Sequence, residues 1–313
     1  MERLAQTDHE VLCLVRASSD VRQLQKCGVT LVRGDVTDRD SLVAGMEGCD
    51  WVANLANVYS FWEPRKALYR EVNVVGTRNV MEAALKTGVT KVAHVSSVVT
   101  YGRPQQLPFT EETPEGPNQF SEYARTKFEG DRIVWKMVAD EGLPALMLYP
   151  GGVVGPGDTK ASGQYVLDLI GRRLPTRVFD DAIISWVHAR DCAAAIVASL
   201  EKEGNVGERY LVVGERLTMR AFNELVSEIS GVSMPRIRLP DALVLPNAML
   251  LTGLARITKN KPPWGMAIDQ MKTMKEGIEA DGSKAERELS LSYTPIRTAL
   301  EEGINWYRQN GLS

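Results

Sequence analysis

The chain has 313 residues, 44% apolar and 25% charged, with 26 Gly and 15 Pro. That is the make-up of an ordinary soluble globular protein, and it excludes collagen-like, disordered and disulfide-framework classes. The net charge of -3 comes with no basic patch, so nucleic acid is not an expected partner.

The length suits about two lobes of roughly 100–200 residues each. The four cysteines (Cys13, Cys27, Cys49, Cys192) are scattered, with no C-x-x-C pair. They read as buried hydrophobes or free thiols of a reducing compartment. The histidines His9, His94 and His188 are isolated as well, so no metal site is expected. Residues 1–6 show no apolar leader core, and a cytoplasmic location is the expectation. The most apolar stretch, 242–255, is shorter than the ~20 residues a membrane span needs. Pro246 and Asn247 interrupt it, so it reads as a helix over the core of a small lobe, and no membrane partner is expected.

In chain order, strands are predicted at 11–15, 30–32, 51–54, 92–95, 145–149, 183–187 and 210–213. Most carry apolar residues on consecutive positions, as strands buried on both faces do. Helices are predicted at 41–46, 66–86, 121–141 and 190–201. The β-α-β alternation argues for a doubly wound parallel sheet of Rossmann type, with helices on both faces. After about residue 214 helical patterns dominate, punctuated by Pro235, Pro240, Pro262 and Pro263, which predicts a smaller, mainly helical C-terminal lobe.

The opening of the chain departs from this plan. A doubly wound dinucleotide binder starts with a strand, a Gly-rich turn and a helix whose N-terminus holds the pyrophosphate. Here residues 1–6 read as the tail of a helix, and His9-Glu10 leads directly into a strand. The expectation is a chain without its first strand and Gly-rich loop, short by roughly 20–25 residues. A misassigned start and a real loss both remain open. In the strand order 3-2-1-4-5-6 the missing strand is central. Its absence would leave a slot with unpaired backbone groups and weaken cofactor binding.

Tyr123-Ala-Arg-Thr-Lys127 lies early in a predicted helix, so the phenol and the amine share one face. A phenol is a poor acid–base catalyst at neutral pH, and a neighbouring ammonium favours its phenolate. Such a phenol can pass a proton to or from a substrate oxygen. Upstream, Val92-Ala-His-Val-Ser96-Ser97 ends a predicted buried strand with hydroxyls. Strand C-termini form the ligand crevice of open α/β sheets, where a hydroxyl can bond the reacting oxygen.

Taken together, these residues resemble the extended, epimerase/dehydratase-like branch of the short-chain dehydrogenase/reductase superfamily, and within it the dihydroflavonol-reductase-like members. The resemblance also rests on Gly34-Asp35-Val36-Thr37-Asp38, Asn54-Leu55-Ala56-Asn57, Asn73-Val-Val-Gly76-Thr77, Tyr101-Gly102 and Tyr149-Pro150-Gly151-Gly152-Val153-Val154-Gly155-Pro156-Gly157-Asp158. It implies catalytic roles for Ser97, Tyr123 and Lys127. Tyr123 would be the general acid/base, Lys127 would orient ribose and tune Tyr123, and Ser97 would position the substrate oxygen. It further implies cofactor contacts from Asp35 and Val36 at the adenine, and from Leu55, Ala56 and Asn57 near ribose and diphosphate. Pro150, Gly151 and Val153 would lie near the nicotinamide. Bland alternatives stay open for Asp35 as a turn residue and Leu55 as core.

Where NAD-preferring members carry an acid after the second strand, this chain has Arg16. A guanidinium there can pair with a 2′-phosphate, so NADP is expected as cofactor, with NAD possible. The division implied is a dinucleotide-binding domain at 1–149 plus about 183–213. Residues 150–182 and 214–313 would form the substrate-binding lobe. Tyr59, Phe61 and Trp62 could wall the pocket or belong to the core. Residues 108–117 resemble the family's mobile segment over the site. Asp191 is expected to cap a helix, and His188 to be a satisfied core histidine.

The expected activity is an NAD(P)-dependent oxidoreductase acting on a small carbonyl or hydroxyl compound. Two alternatives are a nucleotide-sugar epimerase with tightly bound NAD and a cofactor-impaired pseudoenzyme or binding module. A dehydratase is disfavoured, because Val98 and Val99 stand where its acidic pair belongs. The resemblance also implies a homodimer through the helices near 66–86 and 121–141.

Overall fold

Residues 1–312 are described in a computed structural model. The strands are β1 (Leu12–Val15), β2 (Thr30–Arg33), β3 (Trp51–Asn54), β4 (Lys91–Val95), β5 (Ala145–Pro150), β6 (Gly152–Val154), β7 (Ile183–His188), β8 (Arg209–Val212) and β9 (Glu215–Thr218). In the first half the helices are α1 (Arg22–Lys26), α2 (Arg39–Met46), α3 (Ala67–Arg70), α4 (Thr77–Thr87), α5 (Glu122–Glu141), α6 (Ala161–Ile170) and α7 (Ala189–Glu201). The helices α8 (Met219–Ser230), α9 (Asp241–Thr258), α10 (Ile268–Glu276), α11 (Ser283–Glu288) and α12 (Ile296–Gln309) follow.

The central sheet runs β3-β4-β5-β8, all parallel. Its consecutive apolar residues sort by the two-residue period of a strand. Ala145, Met147 and Tyr149 of β5 join Met81, Ala84, Val134 and Met137 of α4 and α5. Leu146 and Leu148 face the other way, onto Ala195, Ile196 and Leu200 of α7. This double burial is the physical meaning of the unbroken apolar runs, and the parallel sheet flanked by helices is the expected Rossmann-like fold.

β1 and β2 form a separate parallel pair. No ladder joins β1 to β3, and Leu12, Leu14 and Leu55 are exposed. The segment before β1 reaches β3 and α7 through His9, whose ring meets Trp51 edge-on at 5.1 Å and whose Nε2 lies 3.2 Å from Glu201. Residues 4–6 form a short 3-10 turn.

The third sheet departs from the sequence reading. β7 does not extend the central sheet; it pairs with β6 in parallel and β9 in antiparallel fashion. This sheet packs on α6, α8 and α12 through a core in which Trp186 and Phe222 stack at 4.1 Å. The predicted helix at 66–86 is α3, a π-helical turn (Glu71–Gly76) and α4. The N-cap of α7 is His188, whose side chain accepts from the Arg190 amide, and not Asp191. The Asp191 carboxylate instead accepts from the amide and hydroxyl of Thr294. His188 is a satisfied core histidine, its other nitrogen 3.1 Å from Glu302.

Candidate active site

α5 begins at Ser121, whose hydroxyl accepts from the Ala124 amide, and ends at Gly142 in the left-handed conformation. This N-cap and C-terminal glycine set the limits of the helix. Its buried side carries Tyr123, Thr126, Lys127, Gly130, Asp131, Val134 and Met137. Three- and four-residue spacing puts them on one face, so Tyr123 and Lys127, 4% and 1% exposed, both point inward.

Around the phenol stand the rings of Tyr59 and Phe61, with centroids 5.4 and 6.1 Å from that of Tyr123. The Tyr59 hydroxyl in turn lies 3.2 Å from Ser162 Oγ on α6. Ser97 caps the turn Val98–Tyr101 at the end of β4. Burial pushes the Tyr123 phenol well above its ordinary value of 10, Tyr59 pushes the same way, and the Ser97 hydroxyl partly offsets them. Tyr123 is therefore held protonated.

Lys127 lies on the same buried face as Tyr123. Its Nζ donates to the Val95 carbonyl at 2.9 Å. Burial lowers its own proton affinity, and Asp131 one turn along works against that. The Val95 carbonyl at the end of β4 accepts one of the hydrogen bonds the amine can donate.

Beneath Lys127 lies a buried polar chain that the sequence reading missed. Ser96 donates to Asp131 Oδ2 at 2.7 Å, and His94 Nε2 lies 3.6 Å from Asp131 Oδ1. Asn54 lies 3.0 Å from His94 Nδ1. Asn54 Oδ1 accepts from the Ala56 amide, so its NH₂ faces His94. That assigns the acceptor role to Nδ1 and the proton to Nε2, facing Asp131. Burial, with Lys127 adding to it, lowers the His94 pKa. The Ser96 hydroxyl is committed to Asp131, so of the two serines Ser97 stands beside Tyr123. The detectable signal was Asp131 itself, an acid four residues after Lys127 on a buried face.

The proposed cofactor residues fall at the C-terminal ends of the strands. An open groove beside β1 and β2 is lined by Arg16, Ala17, Arg33, Gly34, Asp35, Asp38 and Ser41. Arg16 and Arg33 are exposed and form no ion pair among the described residues, and an Arg33 nitrogen donates to the Arg16 carbonyl at 2.8 Å. Two free guanidiniums at this end of a parallel sheet fit a nucleotide phosphate. Arg33, the last residue of β2, lies one position beyond the predicted strand and was not singled out.

Asp35 accepts from both the amide and hydroxyl of Thr37, so its carboxylate holds a turn. Val36 is half-buried against the core. Leu55 and Asn57 are exposed, with Asn57 donating to the Leu55 carbonyl, and Ala56 is half-buried. Pro150 is buried at the end of β5, with Gly151 and Val153 half-buried beyond it. A Cβ on Gly151 would lie 2.4 Å from the Ser185 carbonyl oxygen, which explains glycine at that place.

Comparison with known proteins gives one family: "NAD dependent epimerase/dehydratase family" matches residues 1–214. The chain is 30% identical over 306 residues to "Sterol demethylase protein B" of Methylococcus capsulatus, covering 97% of this chain and 92% of that protein. It is 28% identical to a "Putative dihydroflavonol 4-reductase" of Synechocystis sp., over 99% of this chain and 91% of the other. Among solved structures, "Crystal structure of gox2253" superposes with a TM-score of 0.86 at 30% identity, covering 99% of this chain and 94% of that one.

Proposed function

Because this chain belongs to the NAD dependent epimerase/dehydratase family, we propose that it is an NAD(P)-dependent oxidoreductase moving a hydride to or from a small carbonyl or hydroxyl compound. The observation that carries this reading is Tyr123, a buried phenol kept protonated beside Ser97. A group in that state is a proton donor. A nicotinamide held by Pro150, Gly151 and Val153 would supply the hydride. Ser97 donates a hydrogen bond to the substrate oxygen, and Tyr123 hands it the phenolic proton as negative charge builds there. Lys127 lies on the same helical face and carries a cation toward the strand ends. Tyr59 and Phe61 exclude water from one side of the phenol.

NADP is the proposed cofactor, held at the 2′-phosphate by Arg16 and its neighbour Arg33. Asp35, Val36, Leu55, Ala56, Asn57, Pro150, Gly151 and Val153 would line the rest of the crevice. The four free thiols support a cytoplasmic location. The long helices near 66–86 and 121–141 are proposed as a homodimer surface.

The test is cofactor turnover. Incubated with a panel of ketones, the protein is expected to consume NADPH in proportion to ketone. Interconversion of a UDP-sugar with no net turnover would give the epimerase reading instead. Arg16→Asp is expected to weaken NADPH about 10–100-fold, the range of a lost charge-assisted bond, and to leave NADH nearly unchanged. An unchanged preference would remove the argument for NADP.

A further inference from the structure

Between Asp241 and Arg256, helix α9 has no charged side chain. Val244, Ala248, Thr252 and Ala255 are its buried side, where Val244 and Ala248 pack on Val178, Phe179, Met266 and Met271. The opposite side is equally apolar and uncovered. Ile257 is 80% exposed, Met249 and Leu250 are each 66% exposed, and Leu243 and Leu254 lie beside them. Ile237, just before the helix, and Trp264, just after it, add to the same apolar exposure. Scattered exposed leucines need no explanation, whereas a contiguous apolar face rimmed by charge does.

The C-terminal end of the helix is cationic, while Arg238 before it is paired with Asp180 and Asp181. From Arg236 to Glu276 there are seven cations (Arg236, Arg238, Arg256, Lys259, Lys261, Lys272, Lys275) and three acids (Asp241, Asp269, Glu276), in a chain of net charge -3. Each acid is already engaged. Asp241 lies 3.6 Å from Arg238, Asp269 accepts from the Glu122 amide, and Glu276 pairs with Arg103. Arg256, Lys259 and Lys261, at the end of the helix, form no ion pair among the described residues. A cavity of about 260 Å³ adjoins this side, walled in part by Asn247 of α9, Trp264, Tyr165 and Met271.

We propose that the outer face of α9 docks on the surface of an anionic phospholipid bilayer. An exposed apolar helical face flanked by lysine and arginine is the chemistry of interfacial binding, with the apolar side chains entering the headgroup–acyl boundary and the cations meeting lipid phosphates. A second copy of the chain fits less well. A two-fold contact would bring the cations at the end of the helix toward those of the second copy, like charge facing like. The docking is peripheral, because no helix among the described residues is long and apolar enough to cross a membrane.

The test is flotation of the full chain with phosphatidylcholine vesicles, with and without phosphatidylglycerol. The protein is expected to float with the anionic vesicles and much less with the neutral ones. Lys259→Gln with Lys261→Gln should lower partitioning about 30-fold, the effect of two interfacial charges. Leu250→Glu with Ile257→Glu should abolish it, with the circular dichroism spectrum and thermal midpoint unchanged because these side chains are exposed. Absence of anionic-vesicle binding, equal binding to neutral vesicles, or binding that survives both double variants would overturn the proposal. A concentration-dependent dimer lost in the Leu250→Glu, Ile257→Glu protein, without vesicle binding, would assign the face to a second copy.

Discussion

Tyr123 is defined by what surrounds it more than by its own chemistry. Its phenol is raised above 10 by burial first and by Tyr59 second. The protonated form therefore persists through neutral and mildly alkaline pH. Reduction, which needs the proton, is expected to show no alkaline loss from this group below pH 10, its unperturbed value. Oxidation, which needs the phenolate, should rise with pH over the same range. Steady-state rates in both directions check this, and an alkaline loss of reduction near neutrality would contradict it.

A second residue-scale expectation concerns Asp131. Its carboxylate accepts from Ser96 and lies under Lys127 and His94. Asp131→Ala removes that acceptor from a buried hydroxyl, at a cost of about 1–3 kcal/mol, to be read from urea unfolding. His94 adds a pH dependence. Its pKa is lowered from 6.5 in the folded state, so below pH 6.5 the unfolded chain binds a proton that the folded chain does not. Stability should be fully present above 6.5 and decline as the pH falls below it, and a His94→Asn chain should lose part of that decline.

Among the elements, the pairing of α5 with the turn Glu71–Gly76 decides whether the site is assembled. Asn73, fully buried, accepts from the Val58 amide at 2.8 Å and donates to Thr126 at 3.0 Å. It thereby ties the loop that carries Tyr59 to the helix that carries Tyr123. Close approach depends on Gly130, where a Cβ would lie 2.6 Å from the Asn73 carbonyl oxygen. Gly130→Val is expected to cost about 1–3 kcal/mol through overpacking, measured by thermal or urea unfolding, and to lower kcat as Tyr59 moves off Tyr123. A variant of wild-type stability would show that the helices have room to separate. The sequence reading sees a single long helix at 66–86, because the three- and four-residue spacing continues through the π-helical turn. Nothing in a linear pattern marks the one residue per turn by which that turn differs.

At the scale of the whole molecule, much of the layout was legible because burial leaves a periodic record. The central strands are apolar on consecutive positions, as double-faced burial requires. The predicted ends at 51–54, 92–95 and 145–149 lie within one residue of those observed. β6 and β9 left no such record. One has three residues, directly after Pro150-Gly151, and the other opens Glu215-Arg216 with its first two positions exposed. Their pairing with β7 arises from the Trp186–Phe222 core, formed by residues distant in the chain.

The same division runs through the candidate site. Tyr123 and Lys127 were legible because four residues of helix place them on one face. The carbonyl that accepts from Lys127, and the Asn54–His94–Asp131–Ser96 chain, depend on how β3 and β4 meet α5, a tertiary fact.

The measurement that bears most directly on the central claim is ketone-dependent NADPH oxidation by wild-type protein and by Tyr123→Phe, with folding of both verified by circular dichroism. The account predicts that the phenylalanine chain keeps its fold and loses about 10²–10⁴-fold in kcat, the contribution of a positioned proton donor. A Tyr123→Phe protein that reduces the same ketone at the wild-type rate would contradict it.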